Sequence, residues 1–363
     1  MTVEVLHLVP ALFDRDRGII GGAERYAFEL ARHMAEQVPT ALVAFGERPY
    51  ENRVGKLSIR ILGRTHHIRG QRLNPFSMSL IPELRTANII HCHQQHVLSS
   101  SVAALVGRLS GRRVFVTELG GGGWDISAYV STDRWYHGHL HLSEYSKKVA
   151  GQDGWQRAFV IGGGVDIKTF VPRNVEDRGR TVVFVGRIFP HKGIDDLVNA
   201  ISGNLRLDVI GPVGDTRFLR DLQHLAKGKA VRFLPAICDD EILARVYQDA
   251  LCVLLPSVYK GLYGATTMVP ELLGQTLLES MACGTPVICT DVASMPEVVV
   301  DKVTGFIVPP NNPAALREKI DWFEHHPSEV AEMGRAGRQR VLDHFTWPQV
   351  VQRCFQAYET AVN

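Results

Sequence analysis

Glu271-Leu-Leu-Gly274-Gln-Thr276-Leu277-Leu278-Glu279-Ser-Met281-Ala282-Cys-Gly284-Thr-Pro286-Val287-Ile288-Cys289 reads, in succession, as a loop, a helix start, a helix and a strand. Two carboxylates eight positions apart bracket Gly274 and Thr276, and Leu277, Leu278, Met281 and Ala282 share one face at helical spacing. Gly284 tolerates the positive φ that ends a helix, Pro286 prevents its continuation, and Val287 to Cys289 has the apolar run of a buried strand. A loop that feeds a helix N-terminus in an α/β protein suits an anion, because the first amides are unpaired and carry the positive end of the helix dipole. The same residues admit a structural reading. Thr276 and Glu279 fit a Thr-x-x-Glu capping box, in which each side chain satisfies an orphan donor.

Outward from this stretch the chain repeats strand, turn and helix. Thr181 to Val185 reads as a buried strand leading to Gly186 and Arg187, and His191-Lys192-Gly193 precedes a helix from Ile194. Further strands fall near Leu207 to Ile210, Val231 to Leu234 and Leu251 to Leu255. Towards the N-terminus, the strand Val3 to Val9 is followed by Gly21-Gly22 and an amphipathic run from Ala23 to Ala35. Strands near Ala41, Leu57, Ile89 and Val114 continue the alternation, with a helix from Leu98 to Leu109. Such alternation predicts an α/β protein with doubly wound parallel sheets, and 363 residues suit two domains, joined here by the polar stretch Val171 to Arg180.

The Glu-x7-Glu frame followed by Ser-Met-Ala-Cys-Gly-Thr-Pro-Val-Ile resembles the donor-binding signature of the retaining glycosyltransferases of family 4. The resemblance covers nearly the whole chain and is densest from Thr181 to Pro310. It implies a GT-B fold, with two Rossmann-like doubly wound domains facing across a cleft. An acceptor-side domain is expected over 1–172, a nucleotide-sugar-binding domain over 173–345, and a helix within 346–363 crossing back to the first. It places Glu271 beside the transferred sugar, the amides of Gly274, Gln275, Thr276 and Leu277 on the donor diphosphate, and Glu279 on the ribose. Arg187 and Lys192 match the family's diphosphate-binding pair, a fork and a point charge. Gly21 and Gly22 match a glycine-rich loop facing the donor phosphate; a plain tight turn is the alternative. The implied activity is metal-independent, retaining transfer of a sugar from a UDP- or GDP-linked donor to an acceptor hydroxyl in polysaccharide or glycolipid assembly. A nucleotide-sugar epimerase of similar fold and a non-catalytic binding subunit are the alternatives.

Three departures from the pattern fall where the sugar would sit. Leu272-Leu273 replaces the commoner Gly-Phe, and Val258 to Pro270, with Tyr259, Lys260 and Tyr263, reads as an insertion. Many members carry a His two residues after the Thr that ends the strand here at Thr117; this chain has Glu118-Leu119 and then Gly120-Gly-Gly-Gly123-Trp124-Asp125. That loop is expected to close over substrate, with Trp124 offering a flat face to a sugar ring and Asp125 an acceptor for its hydroxyls.

No metal or cofactor is expected. Asp14-Arg-Asp16 reads as a solvated loop, and His91-x-His93-x-x-His96 and His137-x-His139-x-His141 lack a companion Cys or carboxylate at ligand spacing. His93 or His96, at a strand end, is a candidate acceptor contact. Net charge is +2, but residues 1–175 hold 21 Lys and Arg against 15 Asp and Glu, whereas the remainder hold 19 against 23. This basic half, rich in Arg48, Arg53, Lys56, Arg60, Arg64, Arg69, Arg72 and Arg85, suits an anionic membrane face or a diphosphate-bearing lipid-linked or glycan acceptor; a solvated basic surface is the plain alternative. Nucleic acid is not an expected partner. Six cysteines without a Cys-x-x-Cys pair read as reduced packing residues. With no signal-like N-terminus and no ~20-residue apolar run, the expected compartment is the cytoplasm, with peripheral attachment at the inner membrane face as an option.

Overall fold

The computed structural model describes residues 3–12, 21–120, 123–173 and 179–361. Asp14-Arg15-Asp16 therefore lies outside the described residues. The chain divides into two compact units, one comprising 1–142, 150–164 and 347–363, the other 143–149 and 165–346.

Unit 1 is built on strands β1 (Val3–Leu12), β2 (Thr40–Phe45), β3 (Tyr50–Val54), β4 (Leu57–Leu62), β5 (His66–His67), β6 (Pro75–Phe76), β7 (Ala87–His93), β8 (Arg113–Thr117), β9 (Gly138–His141) and β10 (Ala158–Val160). Eight of them form one sheet in the order β10-β9-β8-β7-β1-β2-β4-β3, parallel except at the β3 edge. Helices α2 (Leu80–Leu84) and α3 (Leu98–Leu109) cover one face over Leu6, Leu8, Val43, Ile90 and Val114. Helix α1 (Gly22–Met34) covers the other, burying Ala27, Leu30, Ala31 and Met34 at helical spacing against Leu42, Ala44 and Ile61.

Unit 2 carries β11 (Thr181–Val185), β12 (Arg206–Ile210), β13 (Val231–Leu234), β14 (Cys252–Leu255), β15 (Val287–Thr290) and β16 (Gly305–Val308), all parallel in the order β13-β12-β11-β14-β15-β16. The winding reverses between β11 and β14, so the loops that leave their C-terminal ends emerge side by side; open sheets place ligands at such a switch point. Helices α5 (Ile194–Ala200), α6 (Thr216–Leu225), α7 (Asp240–Asp249), α8 (Gln275–Ala282), α9 (Met295–Val298), α10 (Pro313–His325) and α11 (Pro327–His344) complete this unit, and α12 (Trp347–Thr360) belongs to unit 1.

Two boundaries differ from the sequence reading. The second unit begins at Val165, not at 173, because Val165 N–H donates to Phe345 O at 2.9 Å and the Phe170 ring packs 6.2 Å from that of Tyr247. Helix α4 (Glu144–Val149) also groups with unit 2, because its leading amides, Glu144 N and Tyr145 N, donate to the Glu297 carboxylate at 2.8 and 2.7 Å. No helix among the described residues is long and apolar enough to cross a membrane.

Candidate active site

The loops after β11 and β14 touch. Gly193 has φ +62°, and a Cβ there would lie 2.0 Å from Pro256 O, so only glycine lets the turn ending in Lys192 pack on the segment starting at Pro256. The result is a mostly buried cluster. The Lys192 ammonium pairs with Glu271 Oε1 and donates to Pro270 O at 3.3 Å, while Ser257 Oγ donates to the same Glu271 oxygen at 2.8 Å. Ser257 is itself held, since its carbonyl accepts from Thr290 Oγ1 at 2.5 Å. Arg187 stands exposed on the same loop, 5.2 Å from the Phe189 ring. Burial, then the nearby Lys192 and Arg187 charges, push His191 down to about 4 against the pull of Glu271. The imidazole is thus neutral at pH 7, and the cluster's positive charge belongs to Lys192 and Arg187.

The signature helix α8 begins at Gln275, after Gly274 at φ +83°, and no side chain caps it. Thr276 is therefore already inside the helix, and the capping-box alternative is corrected. Glu279, 1% exposed, instead accepts from Tyr247 Oη at 3.1 Å and from Gln275 Nε2 at 3.3 Å. A nearly buried carboxylate held by a phenol, one turn into a helix whose N-terminus no side chain caps, suits paired hydroxyls near a phosphate.

The insertion and the residues just after it are tied down in unit 2. Tyr145 Oη donates to Met268 O at 2.5 Å, Ser143 Oγ to Leu272 O at 2.8 Å, and Ala293 N to Tyr259 Oη at 2.9 Å. Tyr263 does not join the Glu271 cluster: its hydroxyl bonds Asp221, the Arg217 guanidinium lies 4.3 Å from its ring, and it lines a separate cavity of ≈ 510 Å³ with Asp195, Asp196, Lys260 and Asn311.

In unit 1, Gly21 precedes α1 with ordinary extended backbone (φ −144°) and Gly22 opens the helix, which no side chain caps. Neither glycine is demanded by a left-handed conformation. Asp125 corrects its assignment as a substrate contact: it is 1% exposed, one oxygen accepts from Ser101 Oγ and the other from Ser127 N and Oγ, so it caps a short turn. Trp124 is pinned as well. Its backbone N–H donates to Gln71 Oε1 at 2.9 Å, its carbonyl accepts from Asn74 Nδ2 at 2.6 Å, and the Arg69 guanidinium lies 3.6 Å from the ring centre. Gly121 and Gly122 lie outside the described residues.

His93 is buried, and a third histidine joins it from β1, which spacing within one segment could not show. Ligand atoms of His7, His91 and His93 fall within 4.8 Å of one another. His91 uses both ring nitrogens, with Thr117 Oγ1 at 2.7 Å and Tyr358 Oη at 2.8 Å. Met34 Sδ, 3.3 Å from His7 Nε2, can only accept, so His7 carries its proton on Nε2 and His93 Nε2–H donates to His7 Nδ1 at 2.8 Å. His93 Nδ1 is left as a bare lone pair without a partner. A metal here would have to displace these bonds, so the arrangement fits a self-contained network of neutral imidazoles better than a ligand set.

Residues 165–340 match the family model for glycosyl transferases group 1. Alpha-maltose-1-phosphate synthase of Mycobacterium tuberculosis is 28% identical over 226 residues, covering 55% of this chain and 56% of that protein. The chain thus spans little more than half of that relative's length. A glycosyltransferase from Rickettsia africae superposes with a TM-score of 0.76 at 16% identity, over 100% of this chain and 99% of that one. An Anabaena protein solved in complex with UDP-glucose does so at 0.73 and 17%, over 99% of each chain. The fold is GT-B, and the match to glycosyl transferases group 1 lies within the second unit.

Proposed function

We propose that the chain is a metal-independent, retaining family 4 glycosyltransferase that moves a sugar from a UDP- or GDP-linked donor to an acceptor hydroxyl, in polysaccharide or glycolipid assembly. The observation that carries the reading is the Lys192, Glu271 and Ser257 cluster at the switch point of unit 2. Arg187, Lys192 and the first amides of α8 would hold the diphosphate, stabilising the charge that develops on it as the sugar leaves. Glu271 would take sugar hydroxyls, and Glu279 the ribose. The solved Anabaena complex with UDP-glucose supports this class of donor. Glu279→Gln keeps the shape but not the charge that paired hydroxyls prefer; it is expected to weaken nucleotide binding about tenfold, read by calorimetry with UDP and GDP. Unchanged affinity at equal folded fraction would reduce Glu279 to packing.

The acceptor side of the proposal rests on unit 1. Lys56 and Arg60 pair with Glu36 and Glu83, whereas Arg64, Arg69 and Arg72 make no ion pair among the described residues and stand beside exposed Leu73 and Met78 in sequence. This surface suits an anionic bilayer or a lipid-linked acceptor at its face. Co-sedimentation with phosphatidylglycerol vesicles is expected to exceed that with phosphatidylcholine and to fall with salt. Indifference to both lipid charge and salt would remove the membrane from the proposal.

A further inference from the structure

Lys192 is assigned to a diphosphate, yet its ammonium is engaged by a carboxylate of the same site. Both side chains are nearly buried, at 11% exposure for Lys192 and 12% for Glu271. We infer that Glu271 competes with the diphosphate for Lys192, and that the transferred sugar decides the competition, so that the pair distinguishes a sugar-bearing donor from the nucleoside diphosphate left after transfer. The inference rests on the donor-site reading above.

The argument is one of donors and charges. Glu271 Oε1 has two donors, Lys192 Nζ and Ser257 Oγ, and Ser257 is fixed through Thr290. Lys192 brings one positive charge and three N–H groups, one on Glu271 and one on Pro270 O. A diphosphate that arrives without a sugar either takes only the third N–H and shares the ammonium's charge with Glu271, or draws the ammonium away and leaves Glu271 short of a donor and facing a like charge in a poorly solvated place. A sugar supplies hydroxyl donors to Glu271 as the phosphate takes Lys192, so every group stays satisfied. Once the sugar has left, Glu271 reclaims the ammonium and loosens the diphosphate. Gly193, seated on Pro256, keeps the two loops close enough for this exchange.

Calorimetry with UDP, GDP and ADP, and with UDP-glucose and GDP-mannose, tests it. Glu271→Gln is expected to bind its nucleoside diphosphate about tenfold tighter than wild type, with a smaller gain or a loss for the matching nucleotide sugar. The gain should shrink when Lys192→Met is combined with it, whereas simple relief of repulsion would persist or grow. Glu271→Asp, which keeps the charge but shortens the reach to Lys192, is expected to shift the diphosphate the same way and stands in where the Gln variant does not fold. Equal or weaker diphosphate binding by the folded Glu271 variants, with binding lost in Lys192→Met, would overturn the inference and leave the donor site intact. If Lys192→Met binds as wild type does, or wild type binds none of the probes, the donor-site reading fails and takes the inference with it.

Discussion

Lys192→Ala is expected to lower nucleoside diphosphate affinity ~100-fold, the largest loss for any single side chain of the site. The variant loses a charge-assisted hydrogen bond to phosphate, about 1.5 to 3 kcal/mol, and with it the positive charge that stands between the Glu271 carboxylate and the bound anion. Arg187→Ala should cost less, because Arg187 is exposed and pairs with no carboxylate among the described residues, and its phosphate bond competes with water. Calorimetry on the three proteins checks the ranking. Equal losses at the two positions would mean that the Lys192–Glu271 pair has no part in diphosphate binding.

Acidification is expected to destabilise unit 1 through its buried histidines. His7 is driven down to about 3 and His139 to about 4, in both cases first by burial, and His91 and His93 are held well below the ordinary range by burial and by their neighbouring imidazoles. A histidine whose folded pKa is depressed is neutral in the fold and charged in the unfolded chain between the two values. The unfolded state then binds more protons, so stability falls as pH drops below ~6.5, at about 1.4 kcal/mol per pH unit for each such histidine. The loss continues towards pH 4, where His139 begins to charge in the fold. Denaturant titrations at pH 7.5, 6 and 5 are expected to show a steeply falling midpoint; a flat midpoint would mean that these imidazoles accept protons without unfolding.

What could be read from the sequence, and what could not, divides by the range of the interaction. The strands and helices around Thr181 to Val185 and Gln275 to Ala282 were legible because periodicity, Gly284 and Pro286 are local signals. Arg187, Lys192, Glu271 and Glu279 were legible through a motif. Ser257 was not legible, because its place on Glu271, 14 positions further along the chain, depends on the intervening loop returning to the strand end. Tyr247 had no signal at all, since a lone Tyr on a helix reads as core until Glu279 is found beside it. His7 was hidden in an ordinary apolar strand, and only the parallel pairing of β1 with β7, His7 opposite His91, brings the histidines together. Asp125 failed for the opposite reason: a Gly-rich loop suggested exposure, but Ser101 and Ser127 bury its carboxylate. Glu118 lies one residue before Leu119, where the resemblance would place a His, and its carboxylate takes Gln94 Nε2, Gln95 N and Gly120 N at 2.9, 3.0 and 2.9 Å, bracing Gln94 at φ +116°. Strain of that kind, of order 1 to 3 kcal/mol, persists only where surrounding bonds hold it.

The most direct test of retaining glycosyl transfer is proton NMR of the protein incubated with α-linked UDP- and GDP-sugars, following the anomeric signal and the nucleotide together. The account predicts release of nucleoside diphosphate with the sugar appearing first as the α-anomer, on an added acceptor or on water, and loss of both signals in Lys192→Ala. A β-anomer formed first, an epimerised sugar, or no turnover of any nucleotide sugar by a protein that binds them would contradict it.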